Sequence, residues 1–280
     1  MAVLSVDLAY RRWSDLGIAI LSQNASEDGK PSSPITCELI DWDGSDLEEP
    51  HPGPVHAEIL AGRLNHLANT KNIRVMLLDG PQAWKSESNG CAHARLSERQ
   101  LNCAAKTGLP GIVKPATYRT FAEFCIDLYD ALCRRGWKRL ATQERPDSMP
   151  ERVLVESYPH AAWRSLGLAP LPSKRRARIS DLASSFAALK ALIPLTVNRP
   201  PNHDQLQAIV GGLPGLALEG QNPTDARFVG EPPRREDGHW REGFIVLPLP
   251  PQRTENLHWL QETKSLERAG IFSSTLFAAR

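Results

Sequence analysis

Ile73–Gln82 reads Ile-Arg-Val-Met-Leu-Leu-Asp-Gly-Pro-Gln. Its first half is almost continuously apolar, too short to cross a bilayer, and Gly80-Pro81 ends it. Such a segment is a strand buried on both faces, as in the middle of a covered, largely parallel sheet. A single carboxylate, Asp79, stands at its end, and ligands in open α/β sheets gather just beyond the carboxyl ends of strands. Two other apolar segments carry an acid in the same way: Val3–Asp7 and Val153–Glu156. Three acids on three apolar strands point to a common site rather than to three separate surface carboxylates.

Outward from this strand, Ala2–Leu8 and Gly17–Leu21 are apolar runs joined by a polar turn and predict a hairpin. Ile35–Ile40 predicts a third strand, after a polar loop at Asn24–Ser33 and before an acidic, Pro-rich connection at Asp41–Pro54. Val55–Leu67 spaces Ile59, Leu60, Leu64 and Leu67 as a helix that leads back to the organising strand. Beyond Gln82, a helix is expected around Arg95–Ala105 and a loop at Thr107–Ala116. A second helix begins with Thr120 and Glu123 as a capping box and ends at Gly136. The Glu156 strand follows, then a short helix near Trp163 and one through Leu182–Leu192. Asn202 and Gln205 predict a further capping box, with Asp204 in the first helical turn. Gly211, Gly212 and Pro214 predict that this last helix is short or kinked. Ala226–Val229 and Phe244–Leu247 read as short strands flanking a charged loop.

Composition sets bounds on these elements. The 280 residues are 41% hydrophobic and 23% charged, with a formal net charge of +1. The chain is long enough for one large domain, or for one domain with an insertion. No apolar run approaches the roughly 20 residues of a membrane span, and the first residues carry Asp7, Arg11 and Arg12 rather than a signal-peptide pattern. Five scattered cysteines without a C-x-x-C pair predict free thiols and a cytoplasmic protein. Near-zero net charge means that any nucleic-acid contact must come from a local patch, and Lys174, Arg175, Arg176 and Arg178 form the densest one.

Asp7, Asp79, Glu156 and Asp204 are therefore the candidate catalytic and metal-ligating residues. Carboxylates gathered in one place repel unless a cation joins them, and hard oxygen donors suit Mg²⁺ or Mn²⁺ rather than zinc. Two such ions about 4 Å apart can activate water and stabilise a leaving oxygen in phosphodiester cleavage. The histidines His160, His203 and His239 have no metal-ligand spacing. Gly108–Gly111 lacks the Lys-Ser/Thr of a phosphate loop. Trp13, Trp84 and Trp163 are read as packing residues.

The motifs Val-Asp7-Leu, Leu-Asp79-Gly-Pro, Arg95-x-x-Glu98-Arg99, Val-Glu156-Ser-Tyr-Pro159, Ser-Lys174-Arg and His203-Asp204-x-Leu-x-Ala208 occur in order. Together the set resembles an uncharacterised family of predicted nucleases with a ribonuclease H-like fold, domain-of-unknown-function family four-twenty-nine (DUF429). The resemblance runs from about residue 3 to Pro248. It implies an α/β fold whose mixed sheet has three antiparallel strands followed by two parallel ones, with helices on both faces. It implies a ribonuclease H-like domain over residues 1–250, with a helical insertion around 83–150 and a partly helical tail at 251–280. The four acids would form a site for Mg²⁺ or Mn²⁺, and Arg95, Lys174 and Arg175 would bind substrate. The partner would be nucleic acid, DNA or RNA, and not a membrane. Two other readings remain beside this one: a non-enzymatic binding module on the same fold, and a nucleotide phosphotransferase of actin-like architecture. The latter is weakened because Leu-Ala-Tyr-Arg-Arg, without glycine, follows Asp7.

Overall fold

The computed structural model describes residues 2–23, 34–42, 53–142, 152–220 and 225–250. The expected tail at 251–280 and the loop at 24–33 lie outside these residues, as does most of the acidic connection. Among the described residues no helix is long and apolar enough to cross a membrane.

A nine-stranded mixed sheet forms the centre. The organising stretch becomes β4 (Val75–Asp79), with Met76, Leu77 and Leu78 fully buried. On one side β4 pairs in parallel with β1 (Ala2–Asp7), which pairs antiparallel with β2 (Gly17–Ser22). Next comes β3 (Ile35–Ile40), antiparallel to β2. On the other side β4 pairs in parallel with β8 (Val153–Ser157). The sheet extends past these five strands at both edges. The short β9 (Leu195–Val197) runs parallel to β3. At the far edge β13 (Ile245–Leu249) pairs with β8, and β10 (Asp225–Val229) closes antiparallel on β13. The two-residue β7 (Lys138–Arg139) also pairs with β8, and two short hairpins, β5 (Lys106–Thr107) with β6 (Val113–Lys114) and β11 (Arg234–Glu236) with β12 (His239–Arg241), stand outside this sheet.

Strand pleating divides the core into two layers, because successive side chains point to opposite faces. Val3, Val75, Leu77, Val153 and Val155 face α4 (Pro159–Ser165), Leu189 of α5 (Ile179–Leu192) and α6 (His203–Leu218). Leu4, Val6, Met76, Leu78 and Leu154 face α1 (Ala57–Thr70) and α3 (Arg119–Arg134). Both faces of the central strands are thus covered, which is why their sequences are apolar throughout.

Three local expectations are corrected. The helix near Arg95 is only α2 (Leu96–Gln100): Arg95 itself is the N-cap, and Asn102 turns the chain with a φ of 51°. Thr120 does not cap α3, which starts one residue earlier behind a 3-10 turn at Ala116–Tyr118; Glu123 instead accepts from Arg119 Nε at 2.8 Å. Finally, α6 is not short. It runs for 16 residues with Pro214 inside it. Gly212 belongs to its packing surface: a Cβ there would meet Ser5 Cβ and Leu21 Cδ1 at 2.7 Å. Glycine lets this helix lie closer to the sheet than a side chain would allow, and burial on the sheet outweighs its weak helix propensity.

Candidate active site

The carboxyl ends of three parallel strands meet in one row. Asp7 of β1 pairs in register with Asp79 of β4, which pairs with Ser157 of β8. All three follow the pleat of Val3, Leu77 and Val155, so they share the α6 face. Gly17 of β2 lies opposite Asp7. A Cβ at Gly17 would collide with the backbone of Asp204, so this glycine is what admits the start of α6 to the row. Asn202 holds that start in place by accepting from Gln205 N at 2.9 Å, and Gln205 Oε1 accepts in turn from Asn202 N at 3.0 Å. Asp7, Asp79 and Asp204 are thereby brought together.

Their charges respond to that proximity. Asp7 is held well above the usual carboxylate range, first by desolvation and then by the charges of Asp79 and Asp204, with Lys174 acting in the opposite direction. Desolvation also pushes Asp79 up to about 7; the hydrogen bond from Asp7 opposes this, and Glu156 adds to it. A side-chain hydrogen bond joins the two. Burial and mutual repulsion favour one proton held between the two carboxyls, a property of the pair rather than of either residue. Ser157 Oγ, on the same face, is buried and has no hydrogen-bond partner among the described residues.

Asp204 is in a different state. Lys174 Nζ donates to its Oδ2 and also reaches Asp15 Oδ1 at 2.7 Å. His203 Nδ1 lies 3.2 Å from Asp204 Oδ1, and its Nε2 lies 2.9 Å from the carbonyl of Pro172. With acceptors at both ring nitrogens only the imidazolium satisfies both, and the bond to Asp204 raises the His203 pKa above its ordinary value. Each oxygen of Asp204 therefore faces a basic group of the chain itself.

Glu156 is placed elsewhere. It pairs in register with Leu78, one residue out of phase with the aspartate row, and so projects from the opposite face. There Arg95 grips it with two bonds of 2.6 and 2.7 Å, and Gln82 N donates to it at 3.0 Å. Arg95 also donates to Glu98, which takes two more bonds from Thr107 at 2.5 and 2.7 Å. Arg95, Glu98 and Glu156 are 1%, 3% and 3% exposed, so Arg95 has no surface to offer a substrate. Desolvation raises the Glu156 pKa, opposed by Arg95. The turn after Asp79 is clamped from this side: Gln82 donates to Phe244 O at 3.0 Å, and its carbonyl accepts from Arg139 at 3.2 Å.

Of the expected substrate-binding residues, Lys174 is engaged by the acids. Arg175 is exposed beside it, on the turn that leads into α5. The tryptophans are packing residues: Trp13, Trp84 and Trp163 are 5%, 7% and 0% exposed. Sequence reading missed Gly17, Lys174 as a partner of Asp204, and His203 as its second clamp. For His203 the adjacent Asp204 was a usable signal; for the other two, only the fold brings the groups together.

Asp7 and Asp79 offer adjacent oxygens whose repulsion Lys174 opposes without cancelling, a repulsion of the kind that a hard divalent cation relieves. A two-ion site built from all four acids does not fit, because Glu156 faces away and Asp204 is already paired. Among the described residues no group of three or more His, Cys, Asp or Glu side chains is arranged to hold a metal ion.

No family model matches the chain. A curated relative, the tryptophan synthase alpha chain of Prochlorococcus marinus (strain MIT 9313), is 27% identical over 165 residues, covering 54% of this chain and 56% of the relative. The chain thus spans little more than half the length of that relative. Two solved structures are similar at low identity. Thermus thermophilus RuvC has a TM-score of 0.35 and 10% identity, covering 79% of this chain and 98% of its own. T. thermophilus RuvC in complex with Holliday junction substrate has a TM-score of 0.34 and 9% identity over the same shares. None of these likenesses is large enough to assign the chain to a family.

Proposed function

We propose that the chain is a metal-dependent nuclease of ribonuclease H-like fold, hydrolysing phosphodiester bonds of nucleic acid at the Asp7–Asp79–Asp204 row. One observation carries this reading: three aspartates from two parallel strands and a helix start converge at the strand ends, and two of them are paired at the cost of raised pKa values. Structural acids acquire donors, as Glu156 does; these two acquire each other. The order β3-β2-β1-β4-β8, with β2 reversed, also supports a ribonuclease H-like domain over residues 1–250.

Asp7 and Asp79 would hold a single Mg²⁺ or Mn²⁺, which when bound supplies positive charge and lowers the pKa of a water. The chain's own groups do the rest. Asp204, fixed by His203 and Lys174, sets the third side of the row. The exposed Arg175 and Arg176 would bind backbone phosphates, and the Glu156–Arg95 lock would keep the turn after Asp79 rigid. All five cysteines are free thiols, which supports a reducing, cytoplasmic setting.

The non-enzymatic binding module is the second reading, favoured by the commitment of both Asp204 oxygens. Labelled single-stranded, duplex and hybrid substrates incubated with Mg²⁺, Mn²⁺ or chelator separate the two. Cleavage that needs the metal and vanishes in Asp79→Asn supports the nuclease. Equal cleavage by both proteins, or binding of nucleic acid without cleavage, supports the module.

A further inference from the structure

We propose that the β5–β6 hairpin and the start of α3 form a platform for an unpaired nucleic-acid strand, with the Tyr118 ring stacking a base and Lys114 and Arg119 taking phosphates. This rests on nucleic acid being the partner, which the nuclease and binding-module readings share, and it names the form of that partner. From Arg99 to Ala122 the chain carries four cations, Arg99, Lys106, Lys114 and Arg119, and no Asp or Glu. Lys114–Thr120 is a run of seven exposed residues. Ile112 and Tyr118, 48% and 43% exposed, are two of the three large hydrophobic side chains left open to solvent among the described residues. No aromatic or cationic side chain among the described residues covers the Tyr118 ring.

The hairpin is mounted beside the acidic row. Thr107 of β5 donates from N and Oγ1 to Glu98, so the buried Arg95–Glu98–Glu156 network grips the hairpin at its base. Lys85 N donates to Gly108 O at 2.9 Å. Val113, between the exposed Ile112 and Lys114, is buried against Trp84, Ala122 and Ile126. Trp84 follows Asp79 by five residues, which keeps this mounting within about 18 Å of the row. At the hairpin turn a Cβ on Gly111 would lie 3.6 Å from Arg119 Nη2, so the turn and the helix start meet. Tyr10, three residues past Asp7, has its ring 6.1 Å from that of Phe121 and 6.3 Å from that of Phe124. The start of α3 thus stands at the same edge of the sheet as Asp7 and Asp79. Arg119 Nε is held by Glu123 at 2.8 Å, which leaves its terminal nitrogens for a phosphate. Stacking accepts any base but needs its face uncovered, which a paired and stacked duplex denies. The cations alone would bind both forms; the ring selects the unpaired one.

Fluorescence anisotropy of one labelled sequence, single-stranded and duplex, with the full chain in chelator tests this apart from cleavage. The single strand should bind more tightly. Tyr118→Ala should weaken it about 10-fold while barely changing the duplex, and Tyr118→Phe should retain it. Lys114→Gln should flatten the slope of log affinity against log salt by about 0.7, one phosphate contact on a single strand. Circular dichroism checks that each variant is folded. Single-strand binding unchanged by Tyr118→Ala and Lys114→Gln, or an equal loss on both forms, overturns the platform and leaves the nucleic-acid reading standing. Self-association that Ile112→Ser abolishes, with strand binding intact in that variant and in Tyr118→Ala, overturns it in favour of contact between copies of the chain. No binding of either form, in chelator or with Mg²⁺, overturns the nucleic-acid reading and this inference with it.

Discussion

The two faces of one sheet edge hold acids in opposite conditions. On the α1–α3 side, Glu156 and Glu98 share the guanidinium of Arg95, and each takes further donors from Gln82 or Thr107. On the α6 side, Asp7 and Asp79 have mainly each other and a proton. A buried carboxylate with enough donors stabilises a particular geometry; one facing another carboxylate stores repulsion that a cation can relieve. An acid at the end of a central strand is thus either clamped by donors, as Glu156 is, or left facing another acid, as Asp79 is, and the phase of the pleat decides which.

The comparison is tested most severely at Arg95. Arg95→Met leaves two buried carboxylates unpaired and should cost about 3–5 kcal/mol in urea denaturation. Arg95→Met combined with Glu156→Leu should recover a large part of that loss. A cost below about 1 kcal/mol, the range of exposed pairs, would mean that Glu156 is as free as the aspartates and would break the contrast.

Gly17→Ala comes next. Its Cβ has nowhere to go except against the start of α6, so overpacking should cost about 1–3 kcal/mol and move Asp204 away from Asp7. Thermal melting measures the cost, and weaker Mn²⁺ binding would report the displacement. Unchanged stability and binding would show that the helix start is not set by this contact.

A smaller effect, with a definite sign, is expected from the aspartate pair. A carboxyl whose folded pKa is raised favours its protonated form in the native state. Its contribution is therefore complete below the unfolded value near 4 and is lost as pH rises toward the folded value, about 7 for Asp79. Stability should fall between pH 4 and pH 8. Asp79→Asn should be more stable than the unmodified chain at pH 8, by on the order of 1–2 kcal/mol once the pair's opening to solvent is discounted, and should gain nothing at pH 4. Equal stability of the two proteins across this range would remove the stored repulsion from the account.

The smallest effect belongs to His203. Its raised pKa gives a stabilising term that is present below the unfolded value near 6.5 and fades as pH rises through the folded value. His203→Gln should cost about 0.5–1.5 kcal/mol at pH 6 and less at pH 8, in the same melts. A larger cost at pH 8 would place the neutral ring, not the imidazolium, against Asp204.

Much of this arrangement was legible in the residues. Continuous apolarity made Val75–Leu78 a strand covered on both faces, since only a doubly buried strand needs no polar side. The acids at the strand ends marked the edge where Asp7 and Asp79 meet, and Asn202 with Gln205 fixed where α6 begins, because capping is local chemistry. Tertiary structure decided the rest. Whether Gly212 breaks a helix or seats it depends on the sheet beneath, where Ser5 and Leu21 leave room for hydrogen and no more. Whether Glu156 joins Asp79 or opposes it depends on register, in which one residue reverses the face. Lys174 becomes a partner of Asp204, 30 residues later in the chain, because two elements fold against each other. Periodicity and capping are properties of neighbouring residues, whereas charge compensation depends on distance through space.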